Sequence, residues 1–99
     1  MIHLATSNSS GTSFHGTIIN ATPNQLIKSL GPPTYLNSGD DKVTMEWVRE
    51  LDNAEVFTIY DWKYFKTLDM EESIIWNIGG RNKEITDNAK NEIFELLNK

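Results

Sequence analysis

Three groups of residues in this chain have side chains that can do chemistry or hold a ligand. The first is Gly79-Gly80-Arg81-Asn82-Lys83, where a strand pattern gives way to a helix pattern. Glycines let a ligand approach the backbone, free N–H groups at a helix start favour an anion, and Arg81 and Lys83 would reinforce that preference. The same run also reads as a plain turn with two solvated cations. The second group is Trp47, Tyr60, Trp62 and Trp76, with Lys63 next to Trp62. Aromatic faces stack on nucleobases at roughly 1–3 kcal/mol each, and Tyr or Trp also anchors protein interfaces. The competing place for these rings is the core beneath the helices, and it suits Trp47 best. Trp62, between Asp61 and Lys63, suits the surface best.

The third group is Thr12-Ser13-Phe14-His15-Gly16. Hydroxyls, a histidine and a glycine beside a strand can contact a phosphate. As nucleophile and base, Ser13 and His15 lack an evident third group to orient them. Two distant histidines and no cysteine do not make a metal site. No Walker loop, nucleophile elbow or dinucleotide fingerprint occurs, so no cofactor is expected and an enzyme is disfavoured. The ligand-binding candidates are therefore Ser13, His15, Tyr60, Trp62, Lys63, Trp76, Gly79, Gly80, Arg81 and Lys83.

The elements that must position these residues centre on Lys42 to Lys63, KVTMEWVRELDNAEVFTIYDWK. Val, Thr, Ile, Phe, Tyr and Trp dominate two arms around Asp52-Asn53, which predicts a tight hairpin. That turn would pair Arg49 with Val56, Trp47 with Thr58, Met45 with Tyr60 and Val43 with Trp62. Residues 1–11 are small and polar and read as a flexible or loosely attached arm, with no role for His3. Ser13 to Asn20 predicts a first strand, with Gly16 marking a bulge or a close approach. Thr22 as N-cap, Pro23 at N1 and Gln25 completing a capping box predict a short helix, closed by Gly31 in a left-handed conformation and by Pro32-Pro33. TYLNSGDD reads as a loop. SIIWNI predicts a fourth strand, ended by Gly79-Gly80. Ile85, Ala89, Ile93, Leu96 and Leu97 recur at helical spacing from about Asn82 to Leu97, with Phe94 flanking the stripe.

The order strand, helix, three strands, helix predicts an α+β fold: one small domain over residues 12–99, an antiparallel sheet of about four strands, and helices on one face. Ninety-nine residues fit one domain, and 38% hydrophobic content supports one core. A net charge of −5 without a basic stripe argues against duplex nucleic acid as a partner. No stretch approaches the roughly 20 apolar residues of a membrane span, and the N-terminus lacks a signal-peptide pattern. A soluble cytoplasmic protein is expected.

Two resemblances add to this reading. The helix-LGPPT-loop-hairpin pattern of residues 22 to 62 looks like the small fold shared by the outer-membrane assembly lipoprotein BamE and the β-lactamase inhibitor protein. Separately, GTSFHGTI, LGPPTY, KVTMEWVREL, VFTIYDWK and WNIGG, within residues 11 to 80, resemble a family of small accessory proteins of tailed bacteriophages. The agreement includes Thr12, Ser13, Gly16, Trp47, Thr58, Tyr60, Trp62, Lys63, Trp76, Gly79 and Gly80. This resemblance implies an anti-defence protein of the infected cytoplasm. One expectation is a sponge that sequesters a small nucleotide immune signal without turnover, in pockets between the subunits of a homo-oligomer. The alternative is an inhibitor that binds a host defence or metabolic protein through an exposed aromatic sheet face.

Overall fold

The structure, a computed structural model, describes residues 2–5, 11–36, 45–61 and 70–98. The elements are β1 (His3–Leu4), β2 (Ser13–Ala21), α1 (Pro23–Leu30), β3 (Tyr35–Leu36), β4 (Met45–Glu50), β5 (Val56–Tyr60), β6 (Ile74–Gly80) and α2 (Lys83–Leu97). All strand pairs are antiparallel, in the order β1-β4-β5-β6-β2, with β3 also on β4. The four longer strands and two helices follow the expected order, and both helices lie on one face. Tyr35–Leu36, expected as loop, is a short strand on β4, and His3–Leu4, within the expected arm, pairs with Glu50 and Arg49. His3 Nε2 also lies 2.7 Å from Asp52 Oδ1, which ties β1 to the hairpin turn.

The hairpin corrects the expected register by one residue. Glu50 pairs with Val56, Arg49 with Phe57, Val48 with Thr58, Trp47 with Ile59 and Glu46 with Tyr60. The reason lies in the turn. Leu51 N–H donates to Glu55 O at 3.0 Å and Ala54 N–H to Leu51 O at 2.9 Å, so the loop spans Asp52 to Ala54. Ala54 takes φ +65°, the left-handed residue of a three-residue hairpin loop. A two-residue Asp-Asn turn would instead have put the positive φ within Asp52-Asn53 and left Ala54 in the strand. Because strand side chains alternate, this single step decides which residues share a face. The expected pair Val43 and Trp62 lies outside the described residues.

The helix-covered face carries Met45, Trp47, Arg49, Phe57, Ile59, Trp76, Ile78, Ile19 and Ala21, as their pairings require. Leu26 and Leu30 of α1 and Ile85, Ala89 and Ile93 of α2 close the core over them. Trp47 and Trp76 meet edge to face, ring centres 5.4 Å apart at 77°. Each buried indole N–H has an acceptor: Trp47 donates to Gly31 O and Trp76 to Ala21 O, both at 2.9 Å. A Trp buried whole needs such a partner, and these two have one on either side of α1.

Local signals act as expected in α1. Thr22 and Gln25 form the capping box, and Gly31 N–H donates to Ile27 O. Gly31 has the positive φ, 83°, but a ψ of −172°, so the chain leaves the helix extended rather than left-handed helical. On α2, Asn82 is the cap, and its side chain accepts from Ile85 N–H. No helix among the described residues is long and apolar enough to cross a membrane.

Candidate functional site

The face of the sheet opposite the helices is built from the alternate residues of each strand. Pairing places Ile18 opposite Asn77, Asn77 opposite Tyr60, Tyr60 opposite Glu46 and Glu46 opposite Tyr35. Directly paired residues share a face, so these side chains form one row across β2, β6, β5, β4 and β3. At about 4.8 Å per strand the row is roughly 19 Å long. Ile75, paired with Asn20, sits diagonally from Ile18, and Phe14 stands further along β2. Phe14, Ile18, Tyr35 and Ile75 are all exposed; Tyr35 is 51% and Ile75 48% accessible. On the same face but nearer the hairpin turn, Val48, Glu50, Val56 and Thr58 are buried. Tyr60 lies between these two regions, half-buried. Burial, and secondarily the Glu46 carboxylate, push its phenol above the ordinary tyrosine range, so it stays neutral at physiological pH.

Ser13, the first residue of β2, pairs with Gly80 at the end of β6, and the His15 side chain reaches back to the same glycine. His15 Nε2 lies 2.9 Å from Gly80 O and 3.3 Å from Ser13 Oγ. A carbonyl can only accept, so Nε2 carries the proton and cannot also take one from Ser13. In this arrangement His15 clamps the strand end, and Ser13 has no base in that nitrogen. Between Phe14 and Ile18 the register slips, because His15, Gly16 and Thr17 all stand against Ile78. Gly16, φ +88°, supplies the bulge that its position predicts.

No protein family, curated protein or solved structure matches this chain.

Other candidates are placed differently from expectation. Gly79 and Gly80 do not end β6; they are its last two paired residues, and both are buried. A Cβ on Gly79 would lie 2.6 Å from Thr58 Oγ1 and one on Gly80 3.0 Å from Thr86 Cγ2, so close packing accounts for both glycines. Lys83 is held by Asp87, with Nζ 3.0 and 3.1 Å from its two carboxylate oxygens. Thr17 Oγ1, 3.0 Å from Asp87 Oδ1 and 2.8 Å from Thr86 Oγ1, joins the bulge to α2 through the same carboxylate. Arg81 is exposed beside Gly11. Trp76 is wholly buried and is not a stacking platform. Trp62 and Lys63 lie outside the described residues.

The structure thus brings Ser13, His15, Gly79, Gly80 and Arg81 together where β2 begins and β6 ends. Tyr60 belongs to the open row and Trp76 to the other face. The reading of the sequence passed over Phe14, Ile18, Tyr35 and Ile75. The available signal was the alternation of β6, where Ile74, Trp76 and Ile78 point inward and Ile75 and Asn77 outward.

Proposed function

We propose that this chain is a non-catalytic binding protein that holds a partner protein against the open face of its sheet. The observation that carries this reading is the five-strand row from Ile18 to Tyr35, with exposed Phe14 and Ile75 beside it. An apolar and aromatic surface interleaved with Asn77, Glu46 and Asn20 has the make-up of a protein interface. A nucleotide asks instead for a concave pocket with convergent polar groups. The resemblance to tailed-phage accessory proteins supplies the kind of partner: a host defence or metabolic protein that is bound and inhibited. The nucleotide-sponge reading drew on stacking by Trp76 and on backbone approach at Gly79 and Gly80. Those three residues are committed to packing, which weighs against it.

The test uses the full chain as bait in a bacterial lysate, beside Ile75→Lys, with light scattering on each protein alone. One stoichiometric partner retained by the wild type and lost by Ile75→Lys is the expected result. Retention by Ile75→Lys would move the interface elsewhere. Thermal stabilisation by a cyclic nucleotide, with no protein captured, would restore the sponge. A dimer that Ile75→Lys dissociates would make the occupant of the face a second copy.

A further inference from the structure

β2 ends the sheet, and its second edge carries no strand among the described residues. A groove of about 460 Å³ runs there, touching Ile18, Ile19 and Asn20 on one side and Lys90, Phe94 and Leu97 of α2 on the other. Side chains of consecutive strand residues point to opposite faces. A groove that meets three of them in a row therefore lies against the strand edge, where backbone N–H and C=O groups are presented. It also begins beyond the Gly16 bulge, where β2 has returned to regular pairing from Ile18 to Ala21. Phe94, on the far wall, is 58% exposed although every other large apolar residue of α2 is at least half-buried.

We propose that this groove receives an extended segment of a partner protein, which adds as a strand to the edge of β2. Its large apolar side chain packs against Phe94 and Leu97, and its carboxylate meets Lys90. Strand addition of this kind takes affinity from main-chain hydrogen bonds and specificity from pockets for alternate side chains. Charge names the partner's chemistry. The chain carries a formal charge of −5, yet the charged residue among the described groove residues is a lysine, which acts on Asp87 through space while that carboxylate is hydrogen-bonded by Lys83 and Thr17. The same argument disfavours a second copy pairing β2 with β2. The strand SFHGTIINA contains no acid to offer Lys90.

The site meets the proposed protein-binding face at Ile18 and Asn20. Lys90 and Phe94 stand on α2, however, and Ile75 does not line the groove, so variants at those three positions tell the two apart. A displayed library of random dodecapeptides panned on the full chain tests it. The expected selection is a large apolar residue next to Asp or Glu. A synthetic peptide of that sequence should slow amide exchange at alternate residues between Ile18 and Ala21, those whose N–H groups point away from β6. Its binding should weaken at least about tenfold in Phe94→Ala and in Lys90→Glu and be unchanged in Ile75→Lys. Replacing the peptide's acid by lysine should restore binding to Lys90→Glu. Failure to enrich any such sequence would overturn the proposal, as would binding indifferent to Lys90→Glu and Phe94→Ala. Binding lost only in Ile75→Lys would place the peptide on the open face and leave the function proposed above standing. Concentration-dependent dimerisation with the same slowed amides, in the absence of peptide, would replace the partner segment by a second copy and also overturn it.

Discussion

The carbonyl oxygen of Leu30, the last residue of α1, accepts two hydrogen bonds from the Arg49 guanidinium, from Nε at 3.1 Å and from Nη2 at 2.9 Å. Nη2 also donates to Pro32 O, and Nη1 donates to Thr34 Oγ1 and Val48 O. All five N–H groups of this buried side chain are therefore directed to neutral oxygens, most of them where the negative end of the α1 dipole favours a cation. Burial lowers the guanidinium's pKa from its usual value, but an arginine remains charged.

Arg49→Lys keeps the charge and loses the planar fork, leaving carbonyls without donors. The expected cost is about 2–4 kcal/mol, read from the urea midpoint at constant slope. A loss below about 0.5 kcal/mol would mean that the guanidinium does not pin α1 to β4.

The hairpin register depends on Ala54 at φ +65°. A non-glycine residue there carries roughly 1–2 kcal/mol of strain, partly offset in any glycine replacement by unfolded-state entropy. Ala54→Gly should stabilise the fold by about 0.5–1 kcal/mol. A lower melting temperature would contradict the turn geometry described here.

Gly79→Ala drives a methyl group to within 2.6 Å of Thr58 Oγ1 in a buried stretch of the sheet. Overpacking of this kind costs about 1–3 kcal/mol. Thr58→Ala removes the obstructing atom, so the double variant should recover part of the loss. Additive effects in the double-mutant cycle would show that Thr58 is not what excludes a side chain at position 79.

Asp87 supplies a pH dependence whose sign follows from its partners. The hydrogen bond from Lys83, then that from Thr17, hold its carboxyl below the ordinary aspartate range. A depressed folded-state pKa contributes stability that is present above the unfolded value, near 3.9, and is lost as pH falls through the folded value. The gap in melting temperature between wild type and Asp87→Asn should hold from neutral pH to about 4 and close below it. A gap that persists undiminished at pH 2 would exclude the ionised carboxylate as its source.

How much of this was legible depended on how far apart the interacting residues lie. Thr22 and Gln25 satisfy each other three residues apart, and Gly31 closes α1 through Ile27 O, so that helix can be read from a ten-residue window. The α2 stripe of Ile85, Ala89 and Ile93 and the Gly16 bulge were equally local. Candidate site residues were harder to read, because Trp, Gly and Lys serve a ligand or a core with the same side chain. Trp76 stacks on nothing external because Trp47, 29 positions earlier, meets its ring and Ala21 takes its N–H.

From the sequence alone come the element types, their order, and hence an α+β sheet with helices on one side. These follow from periodicity and capping, which act over neighbouring turns of one chain segment. The tertiary structure decided three further things: the hairpin register, the role of Gly79-Gly80, and the side chains left exposed on the open face. Register turned on one backbone dihedral at Ala54, and the glycines on Thr58 and Thr86 from distant elements. Because a single-residue slip exchanges the two faces of a strand, the identity of the surface could not precede the pairing.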